Sequence, residues 1–157
     1  MAVVCDTTPI NYLVQIGLID LVPRLFGNAC IPEAVLSELL HPSAPRNVRE
    51  FASALPEWMV VKTAVEIKEP AILALDKGER EAIALSVSLG AEFLLTDDYK
   101  ARVVARQLGI ATLTTLLILD AAADRGWINF HEAVQRLLET NFRVDPLTIA
   151  QLAEKHA

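Results

Sequence analysis

Short apolar runs alternate along the chain with longer segments of helical periodicity. Residues 3–5 form a β-branched run that ends at Asp6, and apolar positions at helical spacing follow over residues 9–17. Residues 29–31 form a second short run, which leads into the helical pattern of residues 32–40. These patterns predict two strand-to-helix units at the start of the chain.

The same alternation continues to the end of the chain. A helix is predicted from Asp76 or Gly78 up to Gly90, which stands where a helix-terminating glycine is expected. Strands are also predicted at residues 58–61, 92–96 and 110–113, and helices at residues 100–108, 116–123, 131–140 and 147–156. Residues 43–57 are the least regular, with a helical stretch over residues 49–55 between Pro45 and Pro56, and are a candidate flexible flap. The alternation favours an α/β fold, in which helices cover both faces of a mainly parallel sheet and the C-terminus is helical.

Length and composition are those of one compact domain. The chain has 157 residues, of which 53% are hydrophobic, and this is enough to fill one core. We expect a single domain over residues 1–157, with about residues 127–157 as a C-terminal helical extension. The N-terminus has no basic region, and no apolar run approaches the ~18 residues of a membrane span. We therefore expect a cytoplasmic protein.

The charge and the cysteines narrow the function classes. A net charge of −6 argues against a protein that holds nucleic acid mainly by a broad basic surface. It does not exclude a metal-dependent nuclease, because the acids of such a site count as negative until a metal neutralises them. Cys5 and Cys30 lie inside apolar runs, and they form neither a disulfide scaffold nor a zinc pattern.

Separated carboxylates are the main chemical feature. Asp6 and the pair Asp97-Asp98 each follow a predicted strand, and ligands of open parallel sheets bind at the carboxyl ends of strands. Glu38 and Glu81 are placed to join them from helices. The cluster holds only oxygen ligands, which Mg²⁺ and Mn²⁺ prefer. Carboxylate-held metals of this kind activate water for attack on a phosphodiester.

Three threonines flank these acids. Thr7, Thr8 and Thr96 are placed to hydrogen-bond a carboxylate or a water molecule at the metal.

Each acid also has a simpler interpretation. Asp6 can be the N-cap of the helix that starts near Pro9, and the two later aspartates can cap the helix from Lys100. A glutamate considered alone is more often a solvated helix residue.

The ordered motifs resemble those of a known family, the PIN domain. They are Asp6-Thr7-Thr8-Pro9, Ser37-Glu38-Leu39-Leu40, the segment Leu75 to Leu85 and Leu94-Leu95-Thr96-Asp97-Asp98. The chain looks most like the branch with a GExEAIxLA helix and a following double aspartate, which is related to VapC-type toxins. This resemblance implies a PIN-like three-layer α/β/α sandwich.

The resemblance also implies a metal site. Asp6, Glu38, Glu81 and Asp98 would be the catalytic acids, and Asp97 is an alternative to Asp98 as a metal ligand. Glu79 competes with Glu81, which we prefer because it precedes the Ala-Ile run. The family implies Mg²⁺ or Mn²⁺ as cofactor, RNA as substrate, a homodimer and often a small antitoxin partner.

Two further features bear on this resemblance. Lys100 and Arg102 follow the double aspartate and are candidate contacts for RNA phosphates. Thr114 stands before Thr115 where this branch usually has a glycine, which puts the local turn in doubt.

The sequence therefore leads to two functional hypotheses. The first is a metal-dependent endoribonuclease, as the toxin of a type II toxin-antitoxin pair. The second is a catalytically silent binding or regulatory module that keeps the fold. A receiver or phosphatase-like domain with Asp6 as nucleophile is disfavoured, since Thr7-Thr8 supply no second acid beside it.

Overall fold

The computed structural model describes residues 2–156. Within this range the strands are β1 (Val3–Cys5), β2 (Ala29–Pro32), β3 (Met59–Lys62), β4 (Phe93–Leu95) and β5 (Thr112–Leu113). The helices are α1 (Thr7–Gln15), α2 (Leu21–Phe26), α3 (Glu33–Leu40), α4 (Arg46–Ser53), α5 (Pro70–Leu73), α6 (Lys77–Leu89), α7 (Tyr99–Gln107), α8 (Thr115–Asp124), α9 (Phe130–Glu139) and α10 (Pro146–Lys155).

The strands form one parallel sheet in the order β3-β2-β1-β4-β5. The chain runs outward from β1 through β2 to β3, and then returns to the other side of β1 with β4. The strand order therefore reverses between β1 and β4, where Cys5 pairs with Leu95. In open parallel sheets, ligand sites form at the carboxyl ends of the strands beside such a reversal.

Helices cover both faces of this sheet. Successive residues of a strand point to opposite faces, so Val3 and Cys5 lie in one core and Val4 lies in the other. The first core joins β1 to α1, α3, α4, α8 and α9, and the second joins it to α5, α6 and α7. This arrangement confirms the predicted three-layer α/β/α sandwich.

The structure differs from the sequence prediction in several local details. Helix α1 begins at Thr7, two residues before Pro9. The helical stretch predicted over residues 49–55 is α4, which begins earlier, at Arg46. It is packed rather than part of a flexible flap, because Val48 and Ala52 are buried in the first core. Helices α2 and α5 were not predicted. They have six and four residues, too few for the 3.6-residue periodicity to become visible.

Helix ends and the C-terminal region follow the prediction more closely. Gly90 ends α6 in the left-handed conformation, with φ of 59°, which glycine adopts without a steric penalty. The C-terminal part is helical, and α9 buries Phe130 and Leu137 in the first core. No helix within residues 2–156 is both long enough and apolar enough to cross a membrane.

Candidate active site

Asp6 lies at the reversal of strand order. Its backbone N–H donates to Leu95 O at 2.8 Å, which extends the pairing of β1 with β4. The side chain is only 5% exposed. Its Oδ1 accepts from Thr7 N at 2.8 Å, and its Oδ2 accepts from Thr96 Oγ1 at 3.0 Å. The N-cap interpretation is thus correct, and the same carboxylate is also held at the sheet edge.

The environment of Asp6 disfavours its negative charge. Burial raises the pKa of Asp6 from 3.8 to about 7. The hydrogen bonds from Thr7 and Thr96 lower the pKa, while the charges of Glu38 and Asp76 raise it further. The charges of two other carboxylates therefore act on Asp6, and one of them belongs to Glu38, which the sequence analysis placed in the same cluster.

Glu38 reaches this edge from α3. Its Oε2 accepts from Thr7 Oγ1 at 2.6 Å, so Thr7 links the first two acids of the cluster. The carboxylate also lies against Gly78 in the first turn of α6, and a Cβ at position 78 would collide with Glu38 Oε1. Glycine at this position leaves room for the carboxylate, which lies at the flexible end of the Glu38 side chain.

The first turn of α6 adds two more acids. Asp76 is the N-cap, and it forms a capping box with Glu79: Glu79 N donates to Asp76 Oδ1 at 2.9 Å, and Asp76 N donates to Glu79 Oε1 at 3.2 Å. Burial, followed by the charges of Asp76, Asp98 and Asp6, raises the pKa of Glu79 from 4.5 to about 8. Glu79 therefore faces the other acids of the site.

Glu81 points elsewhere. Its Oε1 accepts from Ala34 N at 3.1 Å, and its Oε2 lies 4.0 Å from Lys77 Nζ. Residues two apart on a helix point in nearly opposite directions, so Glu79 and Glu81 cannot both face Asp6. The Glu81 carboxylate instead satisfies a free N–H in the first turn of α3. In this structure Glu79, rather than Glu81, lies with Asp6, and the choice between the two as the metal ligand stays a prediction.

Asp97 and Asp98 are neighbours in sequence, but their carboxylates have different partners. Asp97 Oδ1 accepts from Thr115 N at 2.8 Å and its Oδ2 accepts from Thr115 Oγ1 at 2.7 Å, so this carboxylate is bound to the start of α8. Asp98 caps α7, where its Oδ2 accepts from Ala101 N at 2.8 Å, and its charge acts on Glu79. Asp98 is therefore the member of the pair that faces the acidic cluster.

Two of the three threonines donate to a carboxylate of the cluster, and Thr8 contacts Asp97. The two donors are Thr7 and Thr96, and Thr8 Oγ1 accepts from Asp97 N at 3.4 Å. The turn at Thr114 is regular. Thr114 is the N-cap of α8 with a φ of −88°, and its Oγ1 accepts from Leu117 N. The backbone there does not need a glycine.

Asp76 was missed as a site residue. The sequence carries the usual capping-box spacing of an acid three residues before a glutamate, Asp76 to Glu79. That spacing places both side chains at the N-terminal end of α6. It was used only to start the helix, although the same pattern indicates that these two carboxylates lie together.

A second acidic group lies away from this edge. Asp120, Asp124 and His156 offer ligand atoms within 4.8 Å of one another, between α8 and the end of α10. Lys155 Nζ lies 3.1 Å from Asp120 and 2.9 Å from Asp124. The Lys155 ammonium group therefore offsets part of this negative charge, and the group is an ion-pair network that ties α10 to α8.

The donor set at Asp6 fits a hard divalent cation. Its ligands are carboxylate oxygens, and none of the salt bridges within residues 2–156 involves Asp6, Glu38, Glu79 or Asp98. These acids are spaced more widely than the group at Asp120. In the described part of the chain, no three of them have carboxylate oxygens that all lie within 4.8 Å of one another. Burial, and after it the charges of the other acids, raises the pKa values of Asp6 and Glu79. A cation of charge two would offset both effects, because it stabilises ionised carboxylates.

The match to a family model agrees with the fold. The family model DUF3368, described as a PIN domain, matches residues 2–157. A solved structure of a PilT N-terminus domain protein from the hyperthermophilic archaeon Sulfolobus solfataricus P2 is similar at 15% identity and a TM-score of 0.49, and the match covers 92% of this chain and 100% of that one. No curated protein matches the chain significantly.

The raised pKa values predict how stability depends on pH without metal. Between pH 3.8 and about 7, folded Asp6 holds a proton that the unfolded chain has lost. The free energy of unfolding should therefore fall as the pH rises through this window, and Glu79 acts in the same direction. We expect Asp6→Asn to raise the free energy of unfolding at pH 8 by on the order of 2 kcal/mol. The measurement is urea denaturation in EDTA.

The exposed Asp20, which makes no side-chain hydrogen bond as the cap of α2, gives the control. Asp20→Asn should keep the wild-type slope between pH 4 and pH 8. If Asp6→Asn lost stability at pH 8 as well as at pH 4, the carboxylate would be a net stabilising group and the electrostatic account of the site would be wrong.

Proposed function

The chain belongs to the PIN domain family, whose members are typically nucleases, and on this premise we propose that it is a metal-dependent endoribonuclease that hydrolyses RNA phosphodiester bonds. The observation that carries the proposal is the convergence of Asp6, Glu38, Glu79 and Asp98 without a compensating cationic side chain in residues 2–156. An acidic cluster of this kind at a sheet edge serves catalysis better than stability.

The residues that would hold Mg²⁺ or Mn²⁺ are Asp6, Glu79 and Asp98, with Glu38 at the exposed side of the cluster. Asp97 is assigned a positioning role, because both of its oxygens are engaged by Thr115. When bound, the cation supplies a Lewis acid that activates water and stabilises the leaving oxygen. PIN domains generally use divalent metals, and the all-oxygen donor set agrees with that use.

The chain itself supplies orientation. Asp6 is fixed by its hydrogen bonds to Thr7 and Thr96, and Glu38 is fixed by Thr7 and by the space above Gly78. Carboxylates held in this way lose little freedom when a cation and a phosphodiester arrive. The net charge of −6 repels RNA, so the cation and the nearby Lys100 and Arg102 would provide the attraction for phosphate.

The biological setting is part of the same proposal. The resemblance to VapC-type toxins supports a cytoplasmic homodimer that acts as the toxin of a type II toxin-antitoxin pair, inhibited by a small antitoxin protein. We also propose that residues 1–157 act as one domain, since the C-terminal helix α9 packs in the first core. The alternative is a catalytically silent binding module, which would neither bind the cation nor cleave RNA.

A matched pair of variants tests the assignment of the acids. We expect Glu79→Gln to lower the rate of RNA cleavage in Mn²⁺ roughly a hundredfold, because it removes a charge that faces Asp6 and Asp98. Glu81→Gln should retain activity near that of the wild type, since an amide oxygen can still accept from Ala34 N. The measurement is cleavage of a fluorogenic RNA with Mn²⁺ and with EDTA.

The reverse result, with Glu81→Gln inactive and Glu79→Gln active, would restore the sequence-based assignment. Equal activity of both variants and the wild type would contradict the nuclease site altogether. Wild-type protein that neither binds Mn²⁺ nor cleaves RNA would favour the silent binding module.

Gly78→Ala tests the placement of Glu38. A methyl group at position 78 would displace the flexible Glu38 carboxylate, while alanine favours the helix by about 1 kcal/mol over glycine. We therefore expect RNA cleavage to fall by about tenfold or more without a loss of thermal stability. Adding Gly78→Ala to Glu38→Gln should cause little further loss, since the two changes affect the same group. Fully additive losses would show that the contact has no functional role.

A further inference from the structure

A cavity of about 340 Å³ adjoins the acidic cluster and is not used by the proposed chemistry. It lies between α7, the start of α8 and the C-terminal segment 142–152, and Asp97 forms part of its wall. The cavity therefore opens beside the carboxyl end of β4, where Asp98 faces the other acids. A ligand in this cavity would lie next to any phosphodiester held at the cluster.

One wall of the cavity carries Arg102 on α7. Its Nε is buried and has no hydrogen-bond partner among residues 2–156. The guanidinium carbon lies 5.7 Å from the centre of the Tyr99 ring. A buried N–H without an acceptor is unfavourable, so an acceptor oxygen of a ligand in the cavity would satisfy this group.

The opposite wall carries Arg143, which follows α9. Its Nη1 donates to Phe142 O at 2.8 Å and to Thr140 O at 3.3 Å. These bonds fix the guanidinium in place and use one of its nitrogens, so the remaining N–H donors can serve a ligand. Two arginines thus face one space, and planar guanidinium groups bind phosphate through paired hydrogen bonds.

The rest of the lining is apolar with a polar rim. Leu117, Val144 and Leu152 form an apolar surface, and Thr148 and Gln151 lie at the same cavity. An isolated phosphate would leave the apolar part empty, whereas a nucleotide combines a phosphate with a flat base. The volume lies in the range of small-ligand sites, which is about 300–1,000 Å³.

The local charge also suits a nucleotide. Arg102 and Arg143 face a single acid of the lining, Asp97, whose two oxygens already accept from Thr115. The lining is therefore positive within a protein whose net charge is −6. The acids of the neighbouring cluster would repel an anion elsewhere on this edge, so a phosphate would approach at these arginines.

We propose that this cavity is a nucleotide subsite, which binds one nucleotide of the RNA with its phosphate on Arg102 and Arg143 and its base against the apolar surface. The inference rests on the proposed nuclease function and adds to it a place where the substrate is positioned and its sequence is read. Arg102 and Arg143 are positioning residues, since they act on a nucleotide next to the scissile bond.

Binding of mononucleotides tests the subsite without metal and without catalysis. The full chain is titrated in EDTA with each of the four ribonucleoside 5′-monophosphates, and binding is followed by calorimetry and by backbone amide NMR shifts. We expect saturable binding with shifts at residues 97–102 and 142–152. Arg102→Gln and Arg143→Gln should each weaken it about tenfold or more.

Two controls separate the subsite from general effects of charge or folding. Arg106→Gln removes the same charge one turn further along α7, from a residue that does not line the cavity, and should leave binding unchanged. Thr148→Trp keeps both arginines but fills the cavity, and it should abolish binding while the protein remains folded by circular dichroism. Equal weakening by Arg102→Gln and Arg106→Gln, or full binding by Thr148→Trp, would overturn the subsite.

RNA cleavage distinguishes failure of the subsite from failure of the nuclease proposal. If both hold, Arg102→Gln and Arg143→Gln should raise KM for a short RNA by about tenfold, with a smaller change in kcat. Wild-type protein that cleaves RNA but binds no mononucleotide would overturn the subsite and leave the nuclease proposal intact. Arginine-dependent mononucleotide binding in a protein that cleaves no RNA would support the subsite and contradict the nuclease proposal.

Discussion

The pairing of β1 with β4 is the constraint on which the site depends. The parallel register sets Cys5 beside Leu95, and the bond from Asp6 N to Leu95 O carries the pairing one residue beyond the strands. Asp6 and Thr96, ninety positions apart in sequence, are thereby brought within 3.0 Å. Because the strand order reverses at this point, helices diverge to opposite faces and leave the carboxyl ends of the strands accessible.

Helix N-termini explain how the fold tolerates a cluster of acids. Asp6 caps α1, Asp76 caps α6 and Asp98 caps α7, so three helices begin at the same edge. The N-terminal end of a helix carries a partial positive charge, and its free N–H groups bind carboxylate oxygens. Each capping acid therefore stabilises its helix locally while it contributes negative charge to the cluster. The compensation is incomplete, since burial and mutual repulsion still raise the pKa values of Asp6 and Glu79.

Sequence patterns predicted the sheet and the acids that follow strands, because each short apolar run and the acid after it can be recognised from a few consecutive residues. Asp6 and Asp98 were found in this way, as was Glu38 from its place beside an apolar helix face. The choice between Glu79 and Glu81 depended on which side of α6 faces β1, and that rotation is set by the packing of α6 in the second core. The cavity at Arg102 was beyond prediction, since residues 142–152 reach it only through the tertiary packing of the C-terminal helices.

The proposed function requires a divalent cation among the carboxylates that three helices and the β1–β4 reversal bring together. Anomalous scattering from a crystal soaked in Mn²⁺ tests this binding directly. We expect a manganese peak coordinated by Asp6, Glu79 and Asp98, with these acids drawn closer together and Glu81 still bonded to Ala34 N. Manganese bound only at Asp120, Asp124 and His156, or coordinated by Glu81 in place of Glu79, would contradict it.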